Sequence, residues 1–356
     1  MRFSPALWLL ALPLLAAQTS LNQLELANPP AKKQQVTLKR GKERVDVLVD
    51  GKLFTAYIYP DASVLKKGAL FPILTATGNP ITRGWPMEPR PGERVDHPHH
   101  VGMWFNYGDV NGHDFWNNSN DIDPSHKSPM GTIVTTNIAR LNEAGNRAEL
   151  TVEADWRGKD GKTMLRETTL FTFEADGPTR RIDRQTTLTA LDQDVTFKDN
   201  KEGMIAVRVA RQLEHPSTKP EVFTDASGKA TPVAALNNEG VTGKYLSAKG
   251  IEGDAVWGTR APWVELTGTL PGNEAVSVTL FDHPKNVGYP TYWHARGYGL
   301  FAANPMAPSV FSNGKEAAMD YVLKAGKSLT FRHRLLIEPG TATAQQLSKE
   351  AERFGK

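Results

Sequence analysis

Between Asp96 and Trp116 the chain reads DHPHHVGMWFNYGDVNGHDFW. Four of its nine histidines (His97, His99, His100 and His113) sit here beside three aspartates and two tryptophans. Clustered imidazoles can ligate a metal, pass protons to and from a substrate, or hydrogen-bond a polar ligand. In extended backbone, which Pro98 favours at His97, His97 and His99 share one face and His100 takes the other. The three rings then reach a common ion only through a bend, and their spacing matches no helical zinc signature such as HExxH. A metal, if held, would take His97, His99 and His294. The plainer alternative is that these rings cap loop carbonyls beside a buried tryptophan.

A second segment, DHPKNVGYPTYWHARGYGLFAANP at Asp282–Pro305, repeats the Asp-His-Pro triplet at Asp282-His283-Pro284. It then sets Tyr289, Tyr292, Trp293, His294, Arg296 and Asn304 close together. Aromatic rings with interleaved hydrogen-bonding groups suit a sugar, whose C–H faces stack on Trp or Tyr while its hydroxyls need fixed donors and acceptors. These aromatics could equally be core residues on a strand edge. The third segment, DNKEGMIAVRVAR at Asp199–Arg211, places Glu202 before a strand whose Ile205, Val207 and Val209 face one way and Arg208 the other. Glu202 is a carboxylate base or an arginine partner, and Arg208 either enters a polar cleft or forms a surface ion pair.

The elements that must position these residues read as sheet. Short β-type runs separated by Gly, Pro, Asn and Asp fill the body of the chain, at 53–59, 132–141, 147–156, 165–174, 181–191, 204–213, 263–270, 275–282, 299–303 and 328–337. Asp160-Gly161, Asp176-Gly177 and Asn313-Gly314 mark turns between them. Helix signals are confined to the tail, 343–354, with Thr341 or Thr343 as N-cap after Pro339-Gly340. Strands and helices do not alternate, which argues against a parallel α/β sheet and for one large antiparallel β-sandwich.

Composition bounds the chemistry further. The 356 residues carry 42 Lys+Arg against 39 Asp+Glu, a net charge of +3, which argues against a nucleic-acid partner. There is no cysteine, which rules out disulfides, thiol nucleophiles, Cys-ligated zinc and iron–sulfur clusters. Residues 1–17, MRFSPALWLLALPLLAA, run positive, apolar, then small, as a secretory leader does. Their apolar run is shorter than the ~20 residues of a membrane span. The expected organisation is a leader at 1–17, a polar arm at 18–35 and one β domain at 36–356. The product would be exported, periplasmic or extracellular, with no stable membrane insertion.

The three segments together resemble the hallmark blocks of an exported bacterial family labelled PmoA-like, or "methane oxygenase PmoA", and also treated as a domain of unknown function. The resemblance runs from about Leu53 to Pro339. Many members have Arg after the HPHH; Val101 stands there in this chain. The resemblance implies a supersandwich of the galactose-mutarotase type and a setting among polysaccharide-degrading enzymes. It lends nothing to hydrocarbon oxidation: the methane monooxygenase subunit of that name spans the membrane several times, and this chain has no second long apolar stretch.

By analogy with that fold, His99 or His294 would act as acid and Glu202 as base, opening a hemiacetal ring. His97, His100, Trp104, Arg208, Tyr292, Trp293, Arg296 and Asn304 would bind the sugar. Imidazoles outnumber carboxylates in these blocks, so mutarotation, epimerisation or β-elimination fits better than two-carboxylate hydrolysis. No cofactor is required on this reading. The alternatives are a His-ligated metal enzyme and a non-catalytic carbohydrate-binding module.

Overall fold

In the computed structural model, which describes Met1 and residues 34–122, 129–234 and 237–356, the regular structure is mostly antiparallel strand. They run β1 (Val36–Arg40), β2 (Arg44–Val49), β3 (Lys52–Ile58), β4 (Ala69–Ile73) and β5 (Met103–Tyr107). Four long strands follow: β6 (Thr132–Ala144), β7 (Arg147–Arg157), β8 (Thr163–Asp176) and β9 (Thr179–Ala190). After them come β10 (Val195–Phe197), β11 (Gly203–Arg208), β12 (Glu221–Thr224), β13 (Ala230–Val233), β14 (Lys244–Ser247), β15 (Trp263–Leu270) and β16 (Glu274–Asp282). The chain closes with β17 (Tyr292–Arg296), β18 (Leu300–Asn304), a helical turn α1 (Pro308–Phe311), β19 (Tyr321–Leu323), β20 (Ser328–Pro339) and α2 (Ala344–Phe354). The leader expected at 1–17 and nearly all of the arm expected at 18–35 lie outside the described residues. Gln34–Lys356 forms one compact unit, and no described helix is long and apolar enough to cross a membrane.

Two eight-stranded sheets make the sandwich. The first has the order β1-β2-β3-β4-β5-β11-β18-β17 and the second β14-β15-β16-β20-β9-β8-β7-β6. Their facing sides share one apolar core. Phe54 meets Phe173 at 6.4 Å, Tyr57 meets Phe171 at 5.6 Å, and Phe105 meets Phe331 at 5.5 Å. In the second sheet the pattern is the period of two that a half-buried strand demands: Ala148, Leu150, Val152, Ala154 and Trp156 of β7 are buried and their neighbours are not. The middle of the first sheet breaks this rule. Every residue of β4, β5, β11 and β18 is buried. One face of these strands meets the core, and loops cover the other. That second, covered face carries the candidate site.

One local detail differs from the sequence reading, and the tail helix follows that reading. The strand expected at 204–213 stops at Arg208, because the N–H of Ala210 turns to the carbonyl of Ile81 and Arg211–Leu213 winds into a 3-10 turn. The tail helix starts at Ala344 with Thr343 as N-cap, its side chain and that of Gln346 forming a reciprocal capping box. The helix seats Leu347 against Trp263, Phe281 and Leu336. Thr343→Ala is expected to cost about 1 kcal/mol, read as a shift of the urea midpoint. An unchanged midpoint would mean that packing alone holds the helix.

Candidate functional site

Strand register determines the floor. Trp104 of β5 pairs with Ala206 of β11, Ala206 with Ala302 of β18, and Ala302 with His294 of β17. The next row carries Arg208, Leu300 and Arg296. All of these point away from the sandwich core, since their neighbours Phe105, Val207, Phe301 and Trp293 fill it. The two alanines in mid-row leave room above the sheet between a tryptophan on one side and a histidine on the other.

A loop crosses this floor. Arg83, with 1% of its surface exposed, anchors it by donating to the carbonyls of Asp96 (2.8 Å), His97 (3.1 Å) and His100 (3.0 Å). The loop bends around that guanidinium. His97 takes φ 45°, and the N–H of His100 donates to its carbonyl at 2.9 Å. The extended backbone expected from Pro98 is therefore not formed; three carbonyl bonds to one arginine outweigh a local preference. The bend gathers rings into a column: Tyr298 on His97 (5.1 Å), His97 on His100 (4.7 Å), His100 on Trp104 (5.0 Å).

Hydrogen bonds assign the protons. Asp96 Oδ1 accepts from Arg83 and Arg208, each at 2.5 Å, and its Oδ2 lies 3.0 Å from His97 Nδ1. His97 Nδ1 thus carries hydrogen, and the ring points its Nε2 away from Asp96. Burial alone would raise Asp96, but Arg208, the His97 bond and Arg83 outweigh it and hold the carboxyl well below the usual carboxylate range. Arg208 Nη1 donates to His100 Nδ1 at 3.1 Å. Burial first, then neighbouring cations and histidines, push His99 and His100 well below an ordinary histidine, so both rings are neutral. On the far side, His294 Nδ1 donates to the Lys201 carbonyl at 3.1 Å and lies 3.9 Å from Glu202 Oε2. Burial, Arg296 and Lys201 lower His294 to about 3.

These groups open on a cavity of about 710 Å³. Among the expected site residues, His97, His100, Glu202, His294 and Arg296 line it. The others do not. His99 lies behind the wall, 3% exposed, with neither ring nitrogen bonded. Trp104 and Arg208 lie beneath, backing His100 and Asp96. Trp293 faces the sandwich core and donates to the Ala261 carbonyl at 2.9 Å. Tyr292 packs on Phe311 at 5.3 Å and bonds Glu316. Asn304 holds the loop before β11 by donating to the Asn200 carbonyl at 2.8 Å, so it positions Glu202 from outside the cavity. The second Asp-His-Pro triplet closes a turn: Asp282 accepts from the N–H groups of His283 and Thr291 and from Asn286. Among the described residues, no group of three His, Asp or Glu side chains is placed to hold a metal, so the set His97, His99 and His294 does not converge.

The sequence reading did not single out Tyr298, Lys201, His215, Asp254 or Arg94 as site residues, yet all line the cavity. Only Tyr298 had a usable signal, falling on the parity of His294 and Arg296. His215 and Asp254, paired at 3.2 Å, arrive from distant loops.

A protein-family model described as "Family of unknown function (DUF6807)" matches residues 44–352, which takes in the whole cavity. A search of curated proteins finds no match. Among solved structures, a putative aldose 1-epimerase from Escherichia coli K12 is similar at 10% identity and TM-score 0.34, over 86% of this chain and 99% of that one. Galactose 1-epimerase from Lactobacillus acidophilus matches at 11% identity and TM-score 0.31, over 87% and 99%. The GH36 alpha-galactosidase of Geobacillus stearothermophilus matches at 11% and 0.35, over 90% of this chain and 43% of its own. The chain thus spans less than half the length of that galactosidase. At these scores the likenesses carry no argument about chemistry.

Proposed function

The chain belongs to this family of unknown function, DUF6807, so its activity has to be read from the cavity, and we propose that it is an exported carbohydrate-active enzyme working by acid–base catalysis. The observation that carries the proposal is the meeting of two oriented histidines, His97 and His294, with Glu202 in one cavity of sugar size. Asp96 holds His97 by Nδ1, as a carboxylate orients a catalytic imidazole, and we assign its Nε2 to proton transfer. His97 therefore takes the role that the sequence assigned to His99. Neutral His294 accepts a hydroxyl hydrogen bond through Nε2, and Glu202 supplies the carboxylate beside it. Tyr298, partly buried at the cavity wall, is the aromatic ring we assign to a pyranose.

The reactions that this set supports move a proton without hydrolysis: ring opening of a hemiacetal, epimerisation, or elimination. In ring opening, His97 takes the proton of the anomeric hydroxyl, the C–O ring bond breaks as the carbonyl forms, and water gives a proton to the ring oxygen and regains one from His97. Two-carboxylate hydrolysis is less suited, since Glu202 and Glu221 at the cavity each already face a cation. Export remains part of the proposal, resting on residues 1–17; cell fractionation with and without them tests it.

The test is a panel of sugars followed by NMR for anomer exchange, epimers and unsaturated products. His97→Gln is expected to lower turnover about 100-fold or more while sugar affinity stays within a few-fold. Sugar binding with no turnover in the parent protein would replace the enzyme by a binding module. Full turnover in the variant would remove His97 from the mechanism.

A further inference from the structure

Two cations at the cavity, Arg296 and the exposed Lys219, have no carboxylate partner among the described residues, and only Arg296 is half-buried. Glu202 is paired with Lys201 and Glu221 with Arg94 at 2.8 Å, while Asp254 lies 3.2 Å from His215, a ring that burial lowers. Behind the wall, Asp96 is shared by Arg83 and Arg208, and Glu214 by Arg94 and Arg211. Arg296 lines the same cavity and makes no ion pair among the described residues. Its guanidinium lies over the Trp257 ring, 4.7 Å from the centroid. One flat face is thereby supported, and the edge that carries the N–H donors is left for a ligand.

An arginine that is half-buried, braced by an indole and without a carboxylate is short of an acceptor pair. A planar carboxylate meets its fork with two parallel hydrogen bonds; a sugar hydroxyl meets it with one. We propose that Arg296 is a carboxylate subsite, and that the sugar taken by this cavity is an acidic one, a uronate or a saccharide ending in one. This rests on the carbohydrate reading above and narrows its substrate class. Arg296 stands two residues from His294 on the same face of β17, about 7 Å along the strand. A carboxylate held there therefore sets the adjoining carbons beside His294. The same geometry links the two groups electrostatically: after burial, Arg296 is the largest influence lowering His294, and a bound anion offsets it.

The experiment compares D-galacturonate with D-galactose, D-glucuronate with D-glucose, and the corresponding disaccharides, by calorimetric titration of the full chain at low salt. The uronates are expected to bind about tenfold or more tightly than their neutral parents. Arg296→Gln should erase that preference, and Arg296→Lys should keep part of it. Apart from its contact with Trp257, the side chain makes no hydrogen bond or ion pair among the described residues, and thermal melting of the variants checks that the fold is intact. Equal binding of neutral and acidic sugars would overturn the carboxylate subsite and leave the carbohydrate reading standing. A uronate preference that survives Arg296→Gln would overturn the assignment to Arg296. Binding of no sugar of either kind would overturn both.

Discussion

Asp96→Ala is expected to destabilise the protein by about 3–5 kcal/mol, because it leaves two buried arginines without their shared counter-charge. Arg83 and Arg208 are 1% and 0% exposed, and both donate to Asp96 Oδ1. Burial, together with repulsion from Arg208, already lowers Arg83 to about 9. Removing the carboxylate lets that repulsion act unopposed in a poorly solvated place. The loss spreads, since Arg83 also holds the carbonyls that bend the His97 turn. A second effect follows in pH. Asp96 is held below the usual carboxylate range in the fold, so the unfolded chain binds its proton first as pH falls. The stability it contributes is complete above about pH 4, where an unfolded Asp is ionised, and drains away as pH falls toward the folded value. Urea midpoints from pH 7 to pH 3 should therefore fall less steeply for Asp96→Ala than for the parent. Asp96→Asn, which keeps an acceptor but not the charge, should lie between them. A loss below 1 kcal/mol, with an unchanged acid slope, would show that solvent already screens the two arginines.

Much of the sandwich is legible in the chain because the second sheet has one exposed side. In β7 every even residue from Ala148 to Trp156 is buried, and that alternation can be read from residue types alone. Strands β5 and β17 carry no such rhythm. MWFNY is buried throughout and YWHAR nearly so, because loops cover the side that does not face the core. Read as site segments, they were not read as strands, and this produced the errors in the site. Once Tyr292–Arg296 is known to be extended, parity sends Trp293 into the core and His294 with Arg296 into the cavity. No local rule could separate His97 from His99. Their places depend on the bend imposed by Arg83, which lies more than ten residues upstream and acts through carbonyls that any residue would supply. The same holds for His215 and Asp254, which meet only through long-range closure.

The floor under the site also depends on a polar network inside the sandwich, and breaking it by one partner should cost as much as losing Asp96. Arg184 of β9 donates to Glu167 of β8 at 2.7 Å and to Thr186 at 2.8 Å, with side chains 4% and 5% exposed. Glu167 also accepts from Trp156 Nε1 at 2.8 Å. The guanidinium lies 4.9 Å from Phe105 and 5.0 Å from Phe171, one ring from each sheet. Arg184 is thus a strut between the sheets, and Phe105 is the core-side neighbour of Trp104 in the cavity floor. Arg184→Ala strips Glu167 of the cation it pairs with and opens a void, with an expected loss of about 3–5 kcal/mol. Arg184→Met paired with Glu167→Gln should recover most of it. Methionine fills the volume, and glutamine keeps an acceptor for Trp156 without a charge to desolvate. Recovery is favoured because Arg184 Nη1 is buried without a partner even in the parent, so the native pair is not fully compensated. The check is a double-mutant cycle by urea denaturation, with sugar affinity as a second readout for the floor. A double variant no more stable than Arg184→Ala would mean that the charge pair itself holds the sheets in register, and that apolar filling cannot replace it.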